Sequence, residues 1–219
     1  MLVKCNQRRL HSTSRIHLSM NKHLLPLIAI VAIACTSSSK EAKRYDVGQI
    51  ITPQGEMLFW LYDDTPTHKD NFIKLANEKY WDSLSFNRVI ENFVIQGGCP
   101  DTPEGFSDSP YLLDPEILPS HNHVYGAVGA GRDGNPEKLS AGCQFYIVHD
   151  SDGIPRLDGD YTIFGQVFKG LDVLNKIATM ETDSLDAPLD RVPLDVNIIQ
   201  MTEEELKESG FELEIEKGS

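Results

Sequence analysis

Gly129-Ala-Gly131-Arg-Asp-Gly134 has the spacing G-x-G-x-x-G, the pattern of a loop whose glycines let backbone amides approach a pyrophosphate. That chemistry needs a strand before the glycines and a helix after them, with the helix N-terminus facing the phosphates. Here Asn135-Pro136 continues a turn, and no apolar helical face appears before Gln144. The segment is not a phosphate cradle, so its glycines serve a tight bend or a close backbone approach. His121-Asn-His123 is half a metal site without a third ligand, and no metal or other cofactor is expected. Ser140, His149, Asp150 and Ser151 form neither a nucleophile elbow nor a recognisable triad order, so hydrolysis is not expected. No C-x-x-C pair occurs. Cys99 and Cys143 are expected to be two separate buried thiols, with a disulfide as the alternative in an oxidising compartment.

The elements that must position any site are mostly strands. Runs at 47–52 and 56–62 flank Pro53-Gln54-Gly55, a hairpin signal. In the second run Met57, Phe59 and Leu61 share one face, while Leu58, Trp60 and Tyr62 share the other. Asp64-Thr65-Pro66 then opens a helix, with Phe72, Leu75, Ala76 and Lys79 at helical spacing through Tyr80. Further strands are predicted at 85–89, 93–96, 127–130, 144–149, 162–167 and 196–201, and a second amphipathic helix at 171–179. Many short strands with two good helices predict a mostly β chain, its antiparallel sheet closed on itself and capped by the two helices. Thr202 and Glu205 stand in a capping-box relation, with Gly210 at the stop, and the alternation of Phe211, Leu213 and Ile215 predicts an edge strand.

The N-terminus reads as an address. Residues 24–34 are an apolar run preceded by Lys22 and His23, too short to span a bilayer but suited to a signal-peptide core. Ala32-Ile33-Ala34-Cys35 followed by Thr-Ser-Ser-Ser-Lys resembles a bacterial lipoprotein signal, which implies lipidation of Cys35. Ala32 stands where leucine is usual. A plain secretory signal and a mitochondrial presequence are the alternatives, and Met20 offers a compact start. The organisation expected is a signal segment at 1–34, a polar tether at 35–44, a domain at 45–201 and an acidic tail at 202–219. The formal charge is −13. Without residues 1–34, which hold five basic and no acidic residues, 15 basic face 33 acidic residues, a net of −18. Such a surface repels polyanions, so nucleic acid is excluded as a partner. Contact with a membrane is expected only through the lipid on Cys35.

Phe86-Asn-Arg88-Val-Ile-Glu-Asn-Phe93-Val-Ile-Gln96-Gly97-Gly98 resembles the signature of the cyclophilins, the peptidyl-prolyl cis-trans isomerases. Asn71-Phe72, Cys143-Gln144-Phe145-Tyr146-Ile147 and Leu157-Asp-Gly159-Asp-Tyr161-Thr-Ile-Phe164-Gly165 follow in the family's order and spacing, so the similarity covers about residues 46–200. The resemblance implies an eight-stranded antiparallel barrel with a helix closing each end and a proline-binding groove on its outside. It also implies a monomer acting on proline-containing polypeptides. By resemblance Arg88 is the catalytic arginine, Phe93 and Gln96 act beside it, and Val94, Gly131, Arg132, Gln144, Tyr146, Leu157 and Tyr161 form the substrate groove. Glycine at 131 would let the substrate chain lie close. Strand alternation agrees: Val94 and Gln96 share one face, as do Gln144 and Tyr146, with Ile95 and Phe145 opposite. Three residues depart from many eukaryotic members. Val94 replaces methionine, Tyr146 replaces phenylalanine and brings a hydroxyl that needs a partner, and Arg156 replaces a tryptophan used in binding cyclosporin. Weak cyclosporin binding is expected.

The implied chemistry breaks no bond. Rotating a peptide bond costs about 18–20 kcal/mol because resonance makes it partly double, and X-Pro bonds exchange unaided over tens to hundreds of seconds. A catalyst must bind the twisted amide better than either planar form. Twisting returns a lone pair to the proline nitrogen, and Arg88 offers a permanently charged fork of donors to meet it. Gln96 would position Arg88 or the substrate carbonyl. The alternative reading is a cyclophilin-fold module that holds proline-containing partners without useful turnover.

Overall fold

The computed structural model describes residues 42–99 and 111–213. The signal segment, with Cys35, lies outside the described residues. The elements run β1 (Arg44–Thr52), β2 (Gly55–Leu61), α1 (Pro66–Asn77), β3 (Ser85–Ile90), β4 (Val94–Gly97), β5 (Leu112–Leu113), β6 (Ala127–Ala130), β7 (Ser140–Ala141), β8 (Phe145–Val148), a 3-10 turn (Pro155–Leu157), β9 (Ile163–Lys169), α2 (Leu171–Ala178), β10 (Val192–Pro193), β11 (Asp195–Thr202) and α3 (Glu203–Glu208). Nine strands form one antiparallel sheet in the order β10-β3-β4-β8-β6-β9-β2-β1-β11. β10 and β11 occupy its two edges and are separated only by Leu194, whose amide donates to the carbonyl of Leu84 at 2.9 Å. The chain thus steps from one edge to the other and closes the sheet into a barrel. Counted as one bent strand, β10 and β11 make eight.

Alternation along the strands separates two apolar clusters. Ile95, Phe145 and Ile147 point inward with Ile50, Phe59, Phe86 and Phe164. Phe72, Leu75 and Ala76 of α1 and Val173, Leu174, Ile177 and Ala178 of α2 complete that core. Val94, Tyr146 and Val148 point the other way and pack with Ala127, Ile154 and Ile163 in a second buried cluster on the outside of the sheet. Full burial of each large side chain contributes about 1.5–3 kcal/mol. An outer face this apolar is what a binding groove requires.

α1 begins with Pro66 at its first position, as the sequence indicates, but Thr65 makes no side-chain cap. The carboxylate of Glu116 caps it, accepting from the amides of Thr67 and His68 at 2.9 Å each. The helix dipole favours an anion there. α3 has the expected capping box between Thr202 and Glu205. Its Leu206 is buried with Val47, Leu58 and Met201, and Phe211 stacks on Trp60. Residues 202–211, read from sequence as the start of an acidic tail, are therefore packed on the barrel. Residues 211–213 are not a strand, and 214–219 lie outside the described residues. No helix among the described residues is long and apolar enough to cross a membrane.

Candidate active site

β3 and β4 are cross-strand partners at Arg88 and Gln96, which places the two side chains side by side on the outer face. The Arg88 guanidinium donates to Gln96 Oε1 at 3.0 Å, and Gln96 Nε2 donates to Gln144 Oε1 at 2.8 Å. Gln144 Nε2 in turn donates to Cys99 Sγ at 3.4 Å. Gln96 and Gln144 are both buried, so the glutamine part of this row is held out of water and fixes the direction of the partly exposed guanidinium. On its other side Arg88 Nε lies 3.7 Å from Asp186 Oδ2, and its Cζ is 5.8 Å from the Phe93 ring centroid.

These groups border a cavity of about 260 Å3 lined by Arg88, Phe93, Val94, Gln96, Gly131, Arg132, Tyr146, Arg156, Leu157 and Tyr161. All the site residues named from sequence within the described chain line it except Gln144, which lies behind Gln96. Arg156, noted in the sequence only as a departure, belongs to the lining. Phe93, Leu157 and Tyr161 are partly buried against the outer apolar cluster, giving the hollow a hydrophobic floor and rim.

The floor is held by a row the sequence did not reveal. Tyr146 Oη lies 2.7 Å from His123 Nε2, and His123 Nδ1 lies 2.7 Å from Asp158 Oδ1. Burial lowers the pKa of His123, although Asp158 opposes this, and burial pushes the Tyr146 phenol well above its usual value. With both groups neutral, Nδ1–H donates to Asp158 and Nε2 accepts from the Tyr146 hydroxyl. The hydroxyl that tyrosine brings is thereby satisfied. The only sequence signal was that hydroxyl's need for a partner.

The glycine segment serves side chains of the protein. Neither Gly129 nor Gly131 has a left-handed backbone; a Cβ at 129 would enter the Tyr146 ring, and one at 131 would enter the Gln144 side chain. The expectation that Gly131 leaves room for substrate backbone is corrected to this extent: Gln144 fills that space, although Gly131 does line the hollow. Gly134 faces open space. His121 and His123 diverge, the former to Asp64 at 2.7 Å and onto the Tyr62 ring at 3.9 Å. No group of three or more His, Cys, Asp or Glu able to hold a metal occurs among the described residues.

Cys99 and Cys143 are buried and not disulfide-bonded, but they are not separate: their sulfurs lie 3.3 Å apart. A constellation the chain order hid is Ser140 Oγ, 3.1 Å from His68 Nε2, with His68 Nδ1 2.6 Å from Glu116 Oε2. Its line resembles a serine–histidine–carboxylate triad. Ser140 is 1 % exposed, and the cavity beside His68 holds only about 10 Å3, scarcely room for one water. Glu116 is already committed to capping α1. The row is a buried strut.

Residues 47–203 match the family described as cyclophilin type peptidyl-prolyl cis-trans isomerase/CLD. The chain is 36% identical over 145 residues to peptidyl-prolyl cis-trans isomerase ppi1 of Schizosaccharomyces pombe, covering 65% of this chain and 91% of that protein. It is 42% identical over 116 residues to peptidyl-prolyl cis-trans isomerase B of Bacillus subtilis, covering 52% and 77%. A match at 37% identity to isomerase 9 of Schizosaccharomyces pombe takes in 64% of this chain but only 23% of that longer protein. A cyclophilin type isomerase of Cryptosporidium parvum, solved in the presence of the dipeptide Ala-Pro, superposes with a TM-score of 0.64 at 30% identity, covering 70% and 98%. A closed antiparallel barrel, a matched segment that spans it, and an arginine set beside an apolar hollow on its outer face agree: the chain belongs to the cyclophilin type peptidyl-prolyl cis-trans isomerase family.

Proposed function

We propose that this barrel catalyses rotation about X-Pro bonds by clasping the proline ring in the outer hollow while Arg88 donates to the non-planar nitrogen. The carrying observation is the fixed guanidinium, held by Gln96 at 3.0 Å beside an apolar cavity of about 260 Å3. Phe93, Val94, Tyr146 and Leu157 grip the ring, with Tyr161 at the rim. The cavity is smaller than most drug-sized pockets and suits a single side chain of an extended peptide. A charge-assisted hydrogen bond contributes roughly 1.5–3 kcal/mol, or about ten- to 150-fold in rate. The remainder comes from holding one side of the amide while the preceding carbonyl turns. The Ala-Pro dipeptide used with the Cryptosporidium parvum relative supports a proline-containing substrate.

The experiment is magnetisation exchange on an X-Pro peptide, followed by NMR with wild type and Arg88→Ala. Faster exchange with wild type, lost in the variant while peptide binding is kept, is the expected result. Binding by wild type without acceleration would overturn catalysis and leave a binding module.

We further propose that the protein acts as a monomer in a bacterial cell envelope, on a lipid carried by Cys35, assisting the folding of exported chains. The support is the apolar run at 24–34, the small residues before Cys35 and the polar stretch after it. Mass spectrometry of the mature N-terminus tests this: an acylated Cys35 with residues 1–34 removed is expected, and an unmodified Cys35 within an unprocessed chain would overturn it.

A further inference from the structure

Twisting an amide requires one donor, yet the hollow is lined by three guanidinium groups, Arg88, Arg132 and Arg156, and by no carboxylate. The chain around them carries 33 Asp and Glu against 20 Lys and Arg. Arg88 is engaged by Gln96 and lies near Asp186. Arg132 is held by backbone carbonyls, with Nε donating to Asp160 O at 3.1 Å and NH1 to Asp133 O at 2.8 Å, and its Cζ lies 4.4 Å from the Tyr161 ring centroid. Arg156 sits on the exposed 3-10 turn with its Cζ 4.9 Å from the Phe93 ring centroid. Among the described residues, neither Arg132 nor Arg156 has a carboxylate oxygen within 4.0 Å. Their positions are fixed by aromatic faces and carbonyls, so neither makes a direct ion pair, although Asp133 and Asp160 act on Arg132 through space.

Arg156 also borders an adjoining cavity of about 540 Å3, where Glu91 and Asp150 stand. Of the two cavities, only the proline hollow is lined by arginines without a carboxylate. A fork of guanidinium donors there matches a carboxylate in charge and geometry. We propose that the groove selects prolines with an aspartate or glutamate residue directly before or after them. This rests on the isomerase reading and names its preferred substrates. The negative charge of the whole chain opposes an acidic peptide at long range but is screened beyond about 8 Å at physiological salt. The preference therefore operates at contact, in the residence of the bound peptide rather than in its approach.

End-blocked peptides of the form Ala-Xaa-Pro-Ala and Ala-Ala-Pro-Xaa, with Xaa either Glu or its uncharged isostere Gln, test it. Catalysed exchange rates are read by NMR with the uncatalysed rate subtracted, and dissociation constants are read by titration of the same samples. In at least one register Glu should exceed Gln by about five-fold, the upper range for a partly exposed ion pair. Arg132→Gln and Arg156→Gln should each move that ratio toward one, and Arg156→Glu should move it below one, with circular dichroism confirming the fold of each variant. A wild-type ratio of one or less in both registers would overturn the proposal while leaving isomerisation intact. Should wild type accelerate none of the peptides, the isomerase reading fails, and the ratio of dissociation constants alone decides the preference.

Discussion

Tyr146 and His123 meet beneath the proline hollow, phenol to imidazole at 2.7 Å, on strand β8 and the loop before β6. Both side chains are buried. Removing the hydroxyl in Tyr146→Phe leaves His123 Nε2 a buried acceptor without a donor, which costs about 1–3 kcal/mol. Melting should fall by about 2–4 °C for each kcal/mol lost. Pairing Tyr146→Phe with His123→Phe removes both polar groups and should recover part of the loss. Calorimetry of the two variants checks this; an unchanged midpoint in Tyr146→Phe would contradict the assigned pair.

Stability should fall on mild acidification. Burial holds the imidazoles of His68 and His123 below their usual pKa, against the pull of Glu116 and Asp158. Below about pH 6.5 the unfolded chain takes up protons that the folded chain refuses. The stabilising contribution is therefore complete above that pH and is lost as the pH drops toward the folded-state values. Each imidazole gives a slope of up to about 1.4 kcal/mol per pH unit. For Glu116, burial alone would raise the pKa, but its bonds to His68 and to the α1 amides hold it low. Its contribution is lost only at more acidic pH. Urea midpoints from pH 8 to 5.5 should fall for wild type and flatten in His68→Gln and His123→Gln; a flat wild-type profile refutes the assignment.

Gln144 acts through Gln96 on Arg88. Gln144→Leu deprives Gln96 of its acceptor and loosens the guanidinium without touching the apolar grip. Isomerisation kcat/KM should fall about ten-fold, equivalent to about 1.4 kcal/mol, while the peptide dissociation constant changes less than two-fold. A loss in binding equal to the loss in rate would show that Gln144 supports the pocket wall instead.

Arg156 covers the Phe93 ring where a tryptophan would supply a large apolar face. Cyclosporin should bind weakly to wild type, and Arg156→Trp should tighten it by about ten-fold or more, the scale of a buried aromatic anchor. Calorimetric titration measures both. Tight binding by wild type would refute this.

Which residues face the barrel core and which its outer side was legible in sequence because strand alternation is a local property, whereas the groove itself was implied by the family resemblance. Val94, Gln96 and Tyr146 fall on one face and Ile95 and Phe145 on the other, whatever the strands pair with. The predicted strands at 85–89 and 127–130 lie within one residue of β3 and β6. The two-residue β5, β7 and β10 passed unseen, since two residues cannot display a period. The groups missed in the site are those supplied across long sequence separations. Asp186 beside Arg88, Asp158 beneath His123 and Glu116 capping α1 are ordinary loop carboxylates until the fold brings them in. The thiols followed the same rule: Cys99 and Cys143 each look isolated in the chain and are in contact in space.

Closure through Leu194 has a consequence for how the chain is made. β1 pairs along one edge with β2 at once, but its other neighbour, β11, is synthesised only after the other strands of the sheet. About 140 residues separate them, so at about 5–20 residues per second that edge stays bare for roughly 7–30 seconds. Through that interval the nascent protein presents an unpaired strand edge, a template for mispairing with other chains. The barrel thus depends on protection of β1 until β11 has left the ribosome.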